Sequence, residues 1–371
     1  MKTLILSCDT GGGHNSCAKA IKEVFDNYHS PCDIVNVLGM VSSAFSKFMS
    51  GGHVFLYRHL PGLSNFVYRF AEKHSGMFKT GAFAYRIFAR ASEPLKNYIT
   101  SGGYDTVIAS HVFAALILTD TVEKYNLNVK TAFVATDYTL SPSGSASNLD
   151  YYFIPSQKIS YSFRTPHITP SKLYATGIPI RQIFYTKIEK SIAKQGFDIS
   201  PEHNHLLLMC GSMGCGSVEK ITRLLAKKMD NKTELTVVCG TNQKRYRKLS
   251  KKYAHRKNIH IRGFEKDISA LMDSADLYIT KPGGLSVSEA NVKDLPMILM
   301  ETVGGCERYN SRFFTSHECA FAHNKAKDVV EDCLFIISDE YLLSMMREKI
   351  EQLPAPNAAE EIYRILAEGV A

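Results

Sequence analysis

"DLYITKPGGLSVSEA", residues 276–290, sets a short apolar run against a proline and two glycines, then continues with a helical pattern. Read as strand, turn and helix, the stretch is one β/α unit of a parallel sheet. Gly283 and Gly284 lack side chains, so a phosphate can approach the backbone N–H groups where the helix starts and where its dipole favours an anion. Glu289 follows roughly one turn later, where a carboxylate can accept hydrogen bonds from a ribose diol. The same residues admit a plainer reading, a tight turn whose helix is capped by Ser286 and Glu289 as an S-x-x-E box.

Outward from this unit the pattern repeats. "HLLLMC" (205–210), "LTVVC" (235–239), "NIHIRG" (258–263) and "PMILM" (296–300) are further strands of the same series. An earlier series runs through "TLILSC" (3–8), "CDIVNV" (32–37), "TVIAS" (106–110), "VKTAFVA" (129–135) and "YYFIP" (151–155). With 371 residues, 45% of them hydrophobic, the chain is long enough for two doubly wound α/β domains facing a cleft. The expected layout is a first domain over 1–180, a linker region over 181–200 and a second domain over 201–340. Helices over 341–371, broken by the prolines of "LPAPN" (353–357), can pack back on the first domain.

Composition excludes several classes. No stretch approaches the eighteen or so apolar residues needed to span a bilayer, and Leu4 to Leu6 is too short for a signal-peptide core, so a cytosolic location is expected. Nine cysteines, an odd number without a C-x-x-C pair, suit a reducing compartment and argue against a disulfide framework or a zinc site. The net charge of +8 is uneven: between Val41 and Thr100, eight Lys or Arg face two acids, a local excess of 8 − 2 = 6. Twelve of the thirty-nine aromatics share that segment. Such a mixture fits nucleic acid, a membrane surface, or an amphipathic helix with a solvated face.

Ligands of open parallel sheets bind beyond the carboxyl ends of the strands, so the loops there hold the candidates. "CGSMGCGS" (210–217) offers a second backbone cradle through Gly211, Ser212 and Gly214. "GFEKD" begins with Gly263 and Phe264 and leads into the strand before Lys281. In "ETVGGCERYN" (301–310), Glu307 and Asn310 lie three apart at a helix start, a spacing that suits the hydroxyls of a sugar. Four such loops in one domain favour a nucleotide-sugar pocket over four coincident turns. At the other end of the chain, "CDTGGGHNS" (8–16) places Gly12, Gly13 and His14 at a strand-to-helix turn. That turn is neither G-x-G-x-x-G nor a P-loop, and no G-x-G-x-x-G follows the first strand of either series, which removes a dinucleotide-dependent oxidoreductase.

"RGFEKDISALMDSADLYITKPGGLSVSEA", "GGCERYN" and "CDTGGGHNSCAKAI", in their order along the chain, resemble the monogalactosyldiacylglycerol synthase and diacylglycerol glucosyltransferase group of the family 28 glycosyltransferases. The resemblance implies a GT-B fold, two Rossmann-like domains with a UDP-sugar held by the second, and an inverting, metal-independent transfer to a lipid hydroxyl. It implies that Gly283 and Gly284 hold the diphosphate, Glu289 the ribose, Glu307 and Asn310 the sugar, and the backbone around Gly263 and Phe264 the uracil. His14, in the acceptor domain, becomes the candidate general base, since imidazole has a pKa near working pH. Asp137, in "VATDYT", is a second candidate base or the partner that orients His14.

The implied partners are UDP-glucose or UDP-galactose, diacylglycerol and an anionic membrane surface, with no nucleic acid and no metal cofactor. Lys281 and the glycine-rich helix start would stabilise the departing diphosphate in place of a metal. The enzyme is expected at the inner face of the cell membrane, docked by the basic, aromatic segment through Phe55, Tyr57, Arg58, Phe66, Arg69, Lys73 and Arg86. Two alternatives stay open: a polyprenyl-linked or other lipid acceptor, and a non-enzymatic basic protein on a transferase scaffold that binds membrane or nucleic acid.

Overall fold

The computed structural model describes residues 1–8, 12–42, 52, 70, 82–211, 217–300 and 305–369. Two compact units emerge, one from Met1–Gln182, Val303–Tyr309 and Pro356–Ala371, the other from Ile183–Thr302 and Asn310–Ala355.

The first unit runs β1 (Thr3–Ser7), α1 (Gly12–Asn27), β2 (Cys32–Asn36), α2 (Leu38–Val41), α3 (Phe83–Phe88), α4 (Ser92–Gly102), β3 (Thr106–Ala109), α5 (Val112–Tyr125), β4 (Lys130–Val134), β5 (Tyr151–Ile154) and β6 (Leu173–Ala175). Its sheet is parallel with order β2-β1-β3-β4-β5-β6. Successive residues of a strand point to opposite faces, and here both faces are covered. Leu4 and Leu6 enter a core shared with α4 and α5, while Ile5 enters one shared with α1. That two-sided burial is why β1 reads as an unbroken apolar run.

The second unit runs α6 (Lys190–Gly196), β7 (Asn204–Met209), α7 (Val218–Lys228), β8 (Thr233–Val238), α8 (Gln243–Tyr253), β9 (Ile259–Arg262), α9 (Ile268–Asp273), β10 (Leu277–Thr280), α10 (Gly284–Val292), β11 (Met297–Met300), α11 (Cys306–Ser316), β12 (Ala320–His323), α12 (Ala326–Ser338) and α13 (Glu340–Glu351). The order is β12-β11-β10-β7-β8-β9. The chain then returns to the first unit as α14 (Ala358–Glu368), whose Ile362, Ile365 and Leu366 join Cys17, Ile21 and Phe25 of α1. Tyr363 stacks on Tyr28 with centroids 4.1 Å apart.

Residues 183–196, within the stretch read as a linker, are tied to the second unit. Ser269 donates to the Ile183 carbonyl at 2.9 Å, and the buried Lys293 ammonium donates to the Thr186 carbonyl at 2.6 Å and to Asp273 at 2.8 Å.

Both sheets change direction beside their first strand. In the first unit β1 lies between β2 and β3, and in the second β7 lies between β8 and β10. Doubly wound sheets bind ligands in the crevice at such a switch point, outside the carboxyl ends of the strands.

Candidate active site

His14 is the third residue of α1, just beyond β1, and Gly12 and Gly13 before it are exposed. Its Nδ1 lies 3.0 Å from the Ser110 carbonyl oxygen and 3.0 Å from Thr136 Oγ1. A carbonyl only accepts, so Nδ1 carries the proton in this arrangement, and the neutral ring keeps its basic lone pair on Nε2. Ser110 follows β3 and its N–H donates to the Leu6 carbonyl of β1 at 3.0 Å, so the acceptor that orients His14 is itself fixed to the strand before it. Asn15 and Ser7 are hydrogen-bonded side chain to side chain, which ties the first turn of α1 to the end of β1. His14 therefore stands at the β1/β3 switch point with its ring held by groups from the ends of β3 and β4. Asp137, half-buried, immediately follows Thr136.

A residue that sequence reasoning passed over completes this cluster. His111 caps α5: its Nδ1 accepts from the Phe113 N–H at 3.0 Å. Its ring, 8% exposed, meets His14 edge to face with centroids 4.4 Å apart. Phe113 lies 4.9 Å from His111 and stacks on Phe88 at 4.7 Å, so an aromatic row backs the pair. The only available signal in "ASHVF" was a polar residue between a strand and an apolar helix; nothing local says that this strand pairs with β1.

In the second unit Gly283 is the N-cap of α10, with φ −69° and ψ 136° and no side-chain cap. Ser286 is then the third helical residue and Glu289 the sixth, so the S-x-x-E box does not form at this helix start. A Cβ on Gly283 would meet nothing within 4 Å among the described residues, which leaves the helix terminus open to an anion. Gly211, two residues after the end of β7, has φ +63°, a left-handed conformation that glycine adopts without strain. Beneath α10, burial pushes the Tyr278 phenol well above its ordinary range and the Glu289 carboxylate adds to the rise, so the phenol stays neutral. Beyond β9, Gly263 lies beside Tyr246, and Phe264 is 64% exposed, an apolar ring face presented to solvent. Lys281 is half-buried directly after β10.

Glu307 and Asn310 both lie on α11. Asn310 is fully buried, and its amide donates to the Pro282 carbonyl at 2.9 Å, so this side chain braces the loop before α10. Glu307 is half-buried in the first turn of α11 and falls in the other unit. Ser212, Gly214, Phe55, Tyr57, Arg58, Phe66, Arg69 and Lys73 lie outside the described residues, whereas Arg86 is exposed on α3. Among the described residues no group of three or more His, Cys, Asp or Glu is placed to hold a metal ion, and no helix is long and apolar enough to cross a membrane.

Residues 14–180 match the family described as monogalactosyldiacylglycerol (MGDG) synthase, and residues 217–353 match glycosyl transferases group 1. The chain is a glycosyltransferase. It is 25% identical over 384 residues to a processive diacylglycerol beta-glucosyltransferase of Bacillus pumilus, an alignment covering 99% of the enzyme and 94% of that relative. A protein of the same description from Bacillus subtilis is 28% identical over 257 residues, covering 69% and 67%. Among solved structures, Acinetobacter baumannii MurG superimposes with a TM-score of 0.68 at 13% identity, covering 99% of the enzyme and all of MurG. Staphylococcus aureus MnaA, solved with UDP, gives 0.63 at 14%, covering 100% and 98%. These likenesses show the GT-B fold; the family matches show the chemistry class.

Proposed function

We propose that the enzyme moves a hexose from a UDP-sugar to the hydroxyl of diacylglycerol, with inversion, at a membrane surface. The observation that carries the reading is the His14 cluster, a histidine oriented through Nδ1 at a strand-end switch point so that Nε2 is the basic atom. Nε2 takes the proton of the acceptor hydroxyl while its oxygen forms a bond to the anomeric carbon. The anomeric C–O bond to UDP breaks on the opposite side, and the diphosphate leaves with that electron pair. The uncapped start of α10 and the Lys281 ammonium stabilise the charge that develops there. Glu289 binds the ribose, and Phe264 with the Gly263 backbone reads uracil. His111 positions His14, and Asp137 is the alternative base.

The names of the Bacillus relatives, processive diacylglycerol beta-glucosyltransferases, support diacylglycerol as acceptor and favour UDP-glucose over UDP-galactose as donor. No metal is required in this scheme. The basic, aromatic segment between Val41 and Thr100 would dock the first unit on the bilayer, with the exposed Arg86 and Arg90 among its described members.

The test is purified enzyme with radiolabelled UDP-glucose or UDP-galactose, vesicles containing diacylglycerol, and thin-layer separation of the lipids, with and without EDTA. A labelled diacylglycerol glycoside formed equally in EDTA supports the proposal. A product only on polyprenyl-linked lipid would move the acceptor, and loss in EDTA with recovery on added magnesium would reject the metal-free scheme.

A further inference from the structure

Helix α8 carries six cations, Lys244, Arg245, Arg247, Lys248, Lys251 and Lys252, and no acid. All but Arg245 are exposed, and those five recur at three- and four-residue spacing, so they share one side of the helix. Leu249 and Tyr253, with Tyr246, form the opposite stripe against the core of the second unit. The helix itself gains nothing from this arrangement. Like charges three and four apart repel, and Lys244 and Arg245 occupy a first turn whose dipole favours anions.

The neighbouring crossover extends the charge. Helices α7 and α8 join β7 to β8 and β8 to β9, consecutive neighbours in the sheet, so right-handed crossovers put both on one face. Lys248 reaches across to Glu219 of α7. Beyond that acid, α7 presents the exposed Lys220, Arg223, Lys227 and Lys228, of which Lys228 approaches Glu331 at 3.8 Å. The face is thus a broad field of positive charge, built mainly from lysines.

We propose that this α7–α8 face is a docking surface for an anionic lipid bilayer. The inference deepens, and rests on, the reading of the enzyme as acting on a lipid acceptor. Lysines are mobile point charges that suit an array of headgroup phosphates and do not need the fixed fork of arginine. Neither helix exposes an aromatic side chain, which removes the stacking platform expected of a single-stranded nucleic-acid surface. The same lack of apolar anchors makes the contact one of adsorption, reversible and sensitive to salt. It differs in kind from the aromatic-rich segment between Val41 and Thr100.

The experiment is flotation of the full chain with phosphatidylcholine vesicles containing or lacking phosphatidylglycerol, at low and high salt. Two variants are compared with the parent. One carries Lys244→Gln, Arg247→Gln, Lys251→Gln and Lys252→Gln, sparing the Lys248 pair with Glu219. The other removes four exposed cations elsewhere, through Lys124→Gln, Lys158→Gln, Arg164→Gln and Lys325→Gln. Each cation near an anionic surface contributes about a fivefold factor, so the α8 variant, which lacks four, is expected to lose about six-hundredfold in partitioning onto anionic vesicles. The control variant should stay within about threefold of the parent, and the parent should detach in high salt. Circular dichroism and UDP binding verify that each variant is folded.

Flotation of the α8 variant equal to that of the parent overturns the proposal, as does an equal loss in the control. An α8 variant that floats normally but no longer binds a single-stranded RNA held by the parent also overturns it, and assigns the face to nucleic acid. Transfer to diacylglycerol dispersed in detergent micelles should be the same in parent and α8 variant. If even the parent makes no diacylglycerol glycoside in micelles, the functional reading fails independently of the flotation result.

Discussion

At the scale of single residues, Glu289 owes its candidate role to the glycine six positions before it. With Gly283 as the cap, the Glu289 carboxylate projects from inside α10 and is not consumed in closing the helix start. Glu289→Gln keeps the size and removes the charge, and should weaken UDP binding by about 1.5–3 kcal/mol if the carboxylate holds the ribose through charge-assisted hydrogen bonds. Titration calorimetry with UDP reads this directly, and an unchanged affinity would reject the assignment. The sequence could not decide the point, because glycine and serine are both acceptable caps and only backbone geometry says which one is used. His111 was less legible still, since its significance depends on β3 lying beside β1. Its two roles can be separated. His111→Asn retains an acceptor for the Phe113 N–H but loses the ring against His14; turnover is expected to fall about tenfold with the KM for the UDP-sugar and the melting temperature unchanged. His111→Phe retains a ring and loses the cap, and should cost about 1 kcal/mol of stability with the smaller effect on turnover. Equal turnover in the two variants would show that the ring contact does not position His14.

Secondary-structure elements were legible where burial is two-sided. The interior strands announce themselves as apolar runs because α/β sheets cover both faces. The strands at two sheet edges, β6 and β12, do not: "LYA" has no fully buried residue and "AFAH" has one. The pairing of β7 with β10 carries a further consequence that no pattern of apolar residues reveals. The His205 N–H donates to Asp276 Oδ2 at 2.9 Å, and the His205 ring is held by Thr236 at 2.8 Å and Ser274 at 3.1 Å. Burial lowers the His205 pKa to about 4. Burial alone would raise the Asp276 carboxyl, but Lys190 and Lys194, with the His205 N–H, hold it at about 2. For both groups the unfolded chain binds the proton more readily. Stability is therefore complete above pH 6.5, falls as His205 resists protonation between pH 6.5 and 4, and falls again below about 4 as Asp276 does. The first step should amount to about 3 kcal/mol. Hydrogen exchange at β7 and β10 amides, corrected for intrinsic rates, should lose protection over that first interval. His205→Gln should flatten the dependence there, and an unaltered slope would place its origin elsewhere.

For the molecule as a whole, two series of β/α units were readable as two doubly wound sheets, and the family matches divide at nearly the same place, 14–180 and 217–353. What composition could not supply was the use of each sheet. Both present a switch point, but the first offers a histidine with a carbonyl-fixed tautomer, while the second offers an uncapped helix start and a carboxylate. Under the proposed function one arrangement moves protons and the other binds a nucleotide, so binding and turnover should separate by unit. His14→Ala is expected to reduce turnover by about two to four orders of magnitude, the usual contribution of a general base, with UDP affinity nearly unchanged. Glu289→Gln should do the reverse at the binding step. Asp137→Asn completes the comparison: because Asp137 follows the Thr136 that reaches His14, it should be less damaging than His14→Ala if it only orients the ring. If Asp137→Asn is far the more damaging of the two, the base is Asp137 and His14 is its support. If His14→Ala instead weakens UDP binding as strongly as Glu289→Gln does, the first unit takes part in holding the nucleotide, and the division of labour between the two sheets fails.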